Sequence, residues 1–119
     1  MGFVLVKAEI GPSQDAAKEI ELLVDTGAFY TALPSKLMRD LGIEARWRTT
    51  VTVADNRQLE TPVGAAYIGL NGREGIIFVT ELDVPVPLLG VMALETLGFK
   101  VDPVERRLEP TRPFGPAAL

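Results

Sequence analysis

Hydrophobic residues gather in short runs along this chain, and each run is closed by a cluster of turn formers. The first run, Phe3 to Ile10, ends at Gly11-Pro12-Ser13 and reads as a strand followed by a turn. Gln14 to Lys18 is a connection of no assigned shape. Glu19 to Val24 is the next strand, polar at its start and continuously apolar toward Asp25, as suits a strand entering a core. Pro34 to Leu41 has helical spacing: Leu37 and Leu41 lie four apart with Met38 beside them, Pro34 suits a first turn and Gly42 a stop. Residues 43–53 and 57–70 read as strands joined near Asp55-Asn56-Arg57, where Asn56 tolerates a left-handed backbone. Asn71-Gly72 is a stronger hairpin signal and leads into Glu74 to Thr80, another strand.

Further along, Pro85 and Pro87 keep the segment before Leu88 extended and unsuited to a central strand throughout. Val91 to Leu97 is a short helix with Gly98 at its end. Phe99 to Val101 is a short strand, Asp102-Pro103 turns, and Arg106 to Glu109 returns beside it. The last ten residues hold three Pro and one Gly and predict a loose tail. No internal repeat is visible. Many short strands, frequent turns and one or two short helices predict a mainly β fold, a small closed barrel-like domain.

At 119 residues the chain is one domain by length, large enough to bury about two-thirds of its unfolded surface. Its formal charge of −4, with arginines scattered and in no long run, argues against a nucleic-acid partner, since phosphate binding needs a basic face. Cysteine and histidine are both absent. That removes a disulfide framework, thiol and Ser-His-Asp catalysis, His- or Cys-ligated zinc and the usual proton shuttle near neutral pH. Acid–base chemistry then falls to Asp, Glu, Lys or Tyr, and a mechanism built on carboxylates alone is one of the few left. No metal or cofactor is called for. No apolar run approaches the roughly 20 residues that cross a bilayer, and the N-terminus lacks a basic n-region and a long h-region. The expectation is a cytoplasmic protein with no membrane partner.

The stretch that carries chemistry is residues 22–34, where Leu22-Leu23-Val24 runs straight into Asp25-Thr26-Gly27-Ala28. A carboxylate set so tightly into apolar sequence is costly to bury unless partners satisfy it. Asp is also a poor strand former, so Asp25 belongs to a turn leaving a buried strand. Gly27 offers the open backbone geometry of such a turn and lets donors approach the carboxylate closely. For an isolated Asp-Thr-Gly, an ordinary Asx-type turn in a β protein is the default reading.

The flanks change that reading. Residues 23–28 match, without a gap, the active-site pattern of the retropepsin-like (single-lobe) aspartic proteases: an apolar pair, then Asp-Thr/Ser-Gly-Ala/Ser. Leu88-Leu89-Gly90, followed by the helix from Val91, resembles the family's second element, an apolar-apolar-Gly stretch before a short helix. The two lie about 65 residues apart, which suits one lobe. The resemblance runs from about residue 3 to residue 109, so residues 1–109 are read as the protease-like domain and 110–119 as a Pro-rich tail. It implies a retropepsin-like β-barrel lobe that hydrolyses peptide bonds, with Asp25 as the catalytic residue and a peptide or protein as substrate. No other Asp precedes Thr/Ser-Gly, so the second carboxylate that such chemistry needs comes from the Asp25 of a second copy, in a two-fold homodimer.

By the same resemblance, Thr26 bonds across to the partner's backbone, Gly27 donates near the paired carboxylates and contacts substrate, and Ala28 keeps the approach uncrowded. Phe29, Tyr30, Leu88, Leu89 and Gly90 fall at the substrate cleft, and Val53-Ala54-Asp55-Asn56-Arg57 takes the place of the flap that closes over substrate. Three departures stand out. Phe29 and Tyr30 occupy positions where relatives usually have small or acidic residues, and either build an apolar pocket or are simply packed. The hairpin tip lacks the glycines of the retroviral flap. The retroviral members dimerise partly through interleaved termini, for which the Pro-rich tail is a poor strand; the dimer then uses another surface or is weak. Phe29-Tyr30 and the glycine-poor hairpin favour a rival reading, a non-catalytic peptide-binding or assembly module on the same fold. Elsewhere, Trp47 between Arg46 and Arg48 reads as a partly buried packing residue. Glu60, Glu74, Glu81 and Glu95 share no pattern, and Gly69, Gly72 and Gly75 read as hairpin punctuation.

Overall fold

The computed structural model describes residues 3–53 and 55–115. Two of the predicted strands, β1 (Leu5–Gly11) and β2 (Lys18–Val24), form an antiparallel pair with Leu5 opposite Leu23. Alternation drives β1: Ala8 and Ile10 point into the core while Lys7 and Glu9 face solvent. The Pro-start helix is α1 (Ser35–Leu41), which buries Met38 and Leu41 and stops at Gly42. Two hairpins follow. β4 (Trp47–Thr52) pairs with β5 (Gln58–Leu70), with Asn56 left-handed in their turn (φ 65°). β5 then pairs with β6 (Arg73–Glu81) across Asn71 and Gly72, whose φ values of 51° and 79° are the pair of positive angles a two-residue hairpin turn requires.

Two short strands were not legible in the hydrophobic pattern. These are β3 (Thr31–Leu33), entirely buried and parallel to β6, and β7 (Leu88–Leu89), parallel to β2 and antiparallel to β3. Together they complete a seven-stranded sheet in the order β1-β2-β7-β3-β6-β5-β4, and a further pairing of β1 with β5 curls it toward closure. The Pro-rich segment is irregular up to Pro87, as predicted, but the two residues that follow it, Leu88 and Leu89, enter the middle of the sheet. A separate hairpin, β8 (Phe99–Asp102) with β9 (Arg107–Pro110), follows α2 (Val91–Leu97). The fold class is as predicted, mainly β with two short helices. Ile10, Leu22, Leu33, Ile68, Ile77, Val79, Leu89 and Leu97 form the fully buried centre of the core.

Two expectations give way. The strand expected from residue 43 begins only at Trp47, because the chain at Glu44 crosses β5 where Gly64 presents no side chain and the Glu44 carbonyl packs against its Cα. The tail expected to be loose is held through Phe114. Thr111 N donates to Gly98 O at 2.8 Å, and the Arg112 guanidinium reaches Thr96 O at 3.2 Å. Arg73 donates to the carbonyls of Leu97, Gly98 and Arg112, while its guanidinium lies 4.9 Å from the Phe99 ring centroid and 5.3 Å from that of Phe114. An arginine with two aromatic faces and three carbonyls straps the segment from Arg112 to Phe114 to α2. Residues 116–119 lie outside the described residues, as does the N-terminal pair.

Candidate active site

Asp25 is the first residue past β2, and its own amide and that of the preceding residue are locked to the sheet. Val24 N donates to Val4 O at 2.8 Å and Asp25 N to Leu89 O at 3.0 Å. The chain then turns on itself: Ala28 N donates to Asp25 O at 3.1 Å, and Gly27 N to the carboxylate Oδ1 at 2.9 Å. The default reading of an Asx turn is therefore right about the local geometry. Gly27 does not adopt a left-handed backbone, contrary to one of its two expected roles; the described glycines with positive φ are Gly42, Gly72 and Gly98. What it gives is room, since a Cβ there would stand 3.2 Å from Oδ1.

The loop is braced from behind by α2. A helix leaves its first N–H groups without intrahelical partners, and α2 has no side-chain cap at Gly90. Val91 N instead donates to Ala28 O at 2.8 Å and Met92 N to Phe29 O at 3.0 Å, so the carbonyls of residues 28 and 29 cap the helix. The buried Thr31 hydroxyl accepts Gly90 N at 3.2 Å. This apposition leaves no space for a side chain at position 90: a Cβ would fall onto Tyr30 O and within 2.6 Å of Phe29 O. Leu88-Leu89-Gly90 and Asp25-Thr26-Gly27-Ala28 are thus two sides of one joint.

Asp25, half-buried, opens into a cavity of about 840 Å³. One wall is the loop itself, with Gly27, Ala28, Phe29 and Tyr30; Phe29 is 59% exposed and meets Tyr30 edge-on, ring centroids 5.0 Å apart. The facing wall is β4 from Thr50 to Thr52 together with Val53, and the floor carries Ala32, Thr80, Leu82, Val84 and Leu88. Asp25 is the one charged residue in this lining. Among the described residues no cluster of three or more acids suited to a metal ion occurs.

The residues singled out from the sequence distribute unevenly around this space. Asp25, Gly27, Ala28, Phe29, Tyr30, Leu88 and Val53 line it. Thr26 is exposed beside it. Leu89 and Gly90 lie behind the wall, Leu89 fully buried in β7 and Gly90 against the Tyr30 carbonyl, so they position the loop and do not face the cleft. At the hairpin tip, Asp55, Asn56 and Arg57 are exposed and lie off the cavity, with Arg57 Nε 2.6 Å from Asp55 Oδ2. Ala54 lies outside the described residues. The sequence reading missed Ala32, Thr50 to Thr52, Thr80, Leu82 and Val84, whose place in the cleft depends on residues distant in sequence being brought together by the sheet. It also missed Thr31, for which a lone threonine in the run Ala28 to Leu33 was the available sign.

A family model described as aspartyl protease matches residues 6–90. No curated protein matches the chain in sequence. Among solved structures, EIAV protease complexed with the inhibitor HBY-793 superposes with a TM-score of 0.69 at 23% identity, covering 85% of this chain and 93% of that one. The two share a fold.

Proposed function

This chain belongs to the aspartyl protease family and has the retropepsin-like fold, and from that premise we propose that it is an aspartic endopeptidase acting as a homodimer. The observation that carries the reading is Asp25 itself, the one charged residue lining a large apolar cleft, held on a loop braced by α2. Peptide hydrolysis by carboxylates needs two of them around one water, and a single chain supplies one. Two-fold association brings Asp25 against its copy, the simplest route to the pair and the commonest symmetry of oligomers.

In that pair the two carboxyls cannot both ionise readily at close range, so they share a proton. The ionised member takes a proton from the water as its oxygen attacks the peptide carbonyl carbon, while the protonated member donates to the carbonyl oxygen. Gly27 N–H fixes the orientation of each carboxylate through Oδ1. The hairpin of β4 and β5 lies over the cleft as the part that closes on substrate, with Val53 as its inward contact.

The test is Asp25→Asn. The amide keeps an acceptor for Gly27 N–H, so folding and association persist, and cleavage of an unfolded protein substrate falls to background from acid to neutral pH. Full cleavage by the variant, or a protein that sediments as a monomer at high concentration, refutes the proposal. The rival, a peptide-binding or assembly module without catalysis, draws on the flap tip, which the Asp55–Arg57 ion pair closes without a glycine. A wild-type dimer that binds peptide and cuts none supports the rival.

A further inference from the structure

We propose that the exposed apolar face formed by Trp47, Ala65, Ile76 and Phe78 is a docking surface outside the cleft. Its occupant is the part of the substrate chain that runs on beyond the cleft and carries a large apolar side chain there. The inference rests on the dimeric peptidase reading and adds to it a second, remote point of contact with the substrate. Strand register gives the position. Leu88, Ala32, Thr80, Val63 and Trp47 stand opposite one another across β7, β3, β6, β5 and β4, so they share one face of the sheet. The first three of them line the cavity. Phe78 and Ile76 precede Thr80 by two and four residues in β6, and Ala65 is the partner of Phe78 in β5; alternation puts all three on that same face. The floor of the cleft therefore runs on into an apolar stripe.

The stripe is open and preformed. Trp47, Phe78 and Ile76 are 43%, 38% and 61% exposed, and the rings of the first two meet edge-on with centroids 5.3 Å apart, which holds both in place. Along this face of β6 the next charged side chain is Glu74, whose carboxylate lies 3.4 Å from the Tyr67 hydroxyl; Arg48, on the opposite face of β4, holds Glu60 at 2.7 Å. The stripe thus offers a ligand apolar contact alone. Its size decides between occupants. The three exposed side chains present roughly 300 Å², whereas a stable subunit interface takes about 800 Å² from each partner. A second copy is too large for it, and one or two side chains of an extended peptide suit it. At about 3.3 Å per strand residue, Trp47 lies about 10 Å along β4 from Thr50, which lines the cavity. A peptide extended through the cleft reaches the stripe about three residues after leaving it. Two-fold association repeats the surface on the second subunit, for the other end of the same peptide.

The experiment uses three peptides built on one site that the wild type cuts in denatured protein: a short core, the core with Gly-Ser extensions at both ends, and the same extensions carrying Phe. Wild type should cleave the Phe-extended peptide with kcat/KM about tenfold above the Gly-Ser one, through KM. Ile76→Asp should abolish that advantage and Ile76→Thr, which keeps a β-branched strand residue, should reduce it, while both cut the short core at the wild-type rate. No advantage in the wild type, or one retained in both variants, overturns the inference. A lower dimer fraction in Ile76→Asp by sedimentation also overturns it, since the face would then be a subunit contact. Trp47 is the single tryptophan of the chain, so its emission reports occupancy directly. In the Asp25→Asn protein, which spares the peptide, a saturable emission change with the Phe-extended peptide and none with the short core supports the surface, and an unmoved emission overturns it. Absence of any cleavage by the wild type refutes the peptidase reading alone. The surface is then judged by the same emission titration with the two extensions on a Gly-Ser core: a change specific to the Phe form and lost in Ile76→Asp supports it, and equal responses overturn it.

Discussion

Gly90→Ala tests the joint between the two sequence motifs more directly than any change at Asp25. The added Cβ falls onto Tyr30 O and within 2.6 Å of Phe29 O, both backbone atoms that no rotamer change can move aside. Restoring ordinary contact at about 3.5 Å needs the loop and the start of α2 to part by about 1 Å. The bonds at stake are Val91 N to Ala28 O at 2.8 Å, Met92 N to Phe29 O at 3.0 Å, and Gly90 N to Thr31 Oγ1 at 3.2 Å. Overpacking costs about 1–3 kcal/mol, and each buried bond left unmade about 1–3 kcal/mol more. With one or two bonds lost, the expected destabilisation is about 3–5 kcal/mol, a large part of the roughly 5–15 kcal/mol that holds a domain together. At about 4 °C per kcal/mol for a chain of this length, Tm falls by roughly 12–20 °C. Gly72→Ala is the control: Gly72 also resists substitution (φ 79°) but has open space around it, so only the backbone strain of about 1–2 kcal/mol applies. Thermal and urea unfolding of both variants decide the matter. A Gly90→Ala protein melting within about 2 °C of wild type would mean that the loop and helix are not apposed as described.

Three further outcomes are expected. Thr80→Val leaves the buried Thr61 hydroxyl without the partner it has at 2.6 Å and costs about 1–3 kcal/mol, while the double change with Thr61→Val recovers most of it; a strictly additive double-mutant cycle in urea would rule out the coupling. Arg73→Lys gives up the planar fork that serves three carbonyls between two rings, lowering stability by about 2–3 kcal/mol and exposing the segment after Pro110 to subtilisin; unchanged digestion would count against the strap. The amide N–H of Glu105, then the side chain of Glu109, the amide N–H of Val104 and the charge of Arg107 hold Asp102 below the ordinary carboxylate range. A depressed folded-state pKa contributes stability above the unfolded Asp value of about 3.9 and loses it as pH falls through the folded one. Asp102→Asn should therefore flatten the acid side of the stability profile, and parallel profiles for the two proteins would contradict this.

How far the sequence went depends on how local each cause is. The Asn71-Gly72 turn, the Gly42 and Gly98 helix stops and the apolar run into Asp25 all act within a few residues, and each was readable. β3 was not, because three residues are too few to set a period and its partners, β6 and β7, are supplied from dozens of residues away. Arg73 gave no sign of its role, since Phe99 and Phe114 reach it only after α2 and the last hairpin have folded back. Phe29 and Tyr30 read equally well as packing or as pocket. Their sorting came from tertiary geometry, which buries Tyr30 in part and leaves Phe29 open to the cleft.

The arrangement of the loop explains why a carboxylate can stand in apolar surroundings without unfolding them. Three peptide carbonyls of the loop are turned to structural use: those of residues 28 and 29 cap α2, and that of Asp25 closes the turn onto Ala28 N. One carboxylate oxygen is met by Gly27 N–H, which fixes its direction. A carboxylate in such a cleft still lacks the full set of partners that water would give it, and this shortfall is favourable for chemistry, because a bound water or a second carboxyl fills it with little reorganisation of the protein. The rigid frame, Asp25 on one side of the joint and Gly90 on the other, is what converts that shortfall into a defined site. On the peptidase reading proposed above, stability at Gly90 and reactivity at Asp25 are one property of the fold, and a change that loosens the first should degrade the second even where the acid itself is untouched.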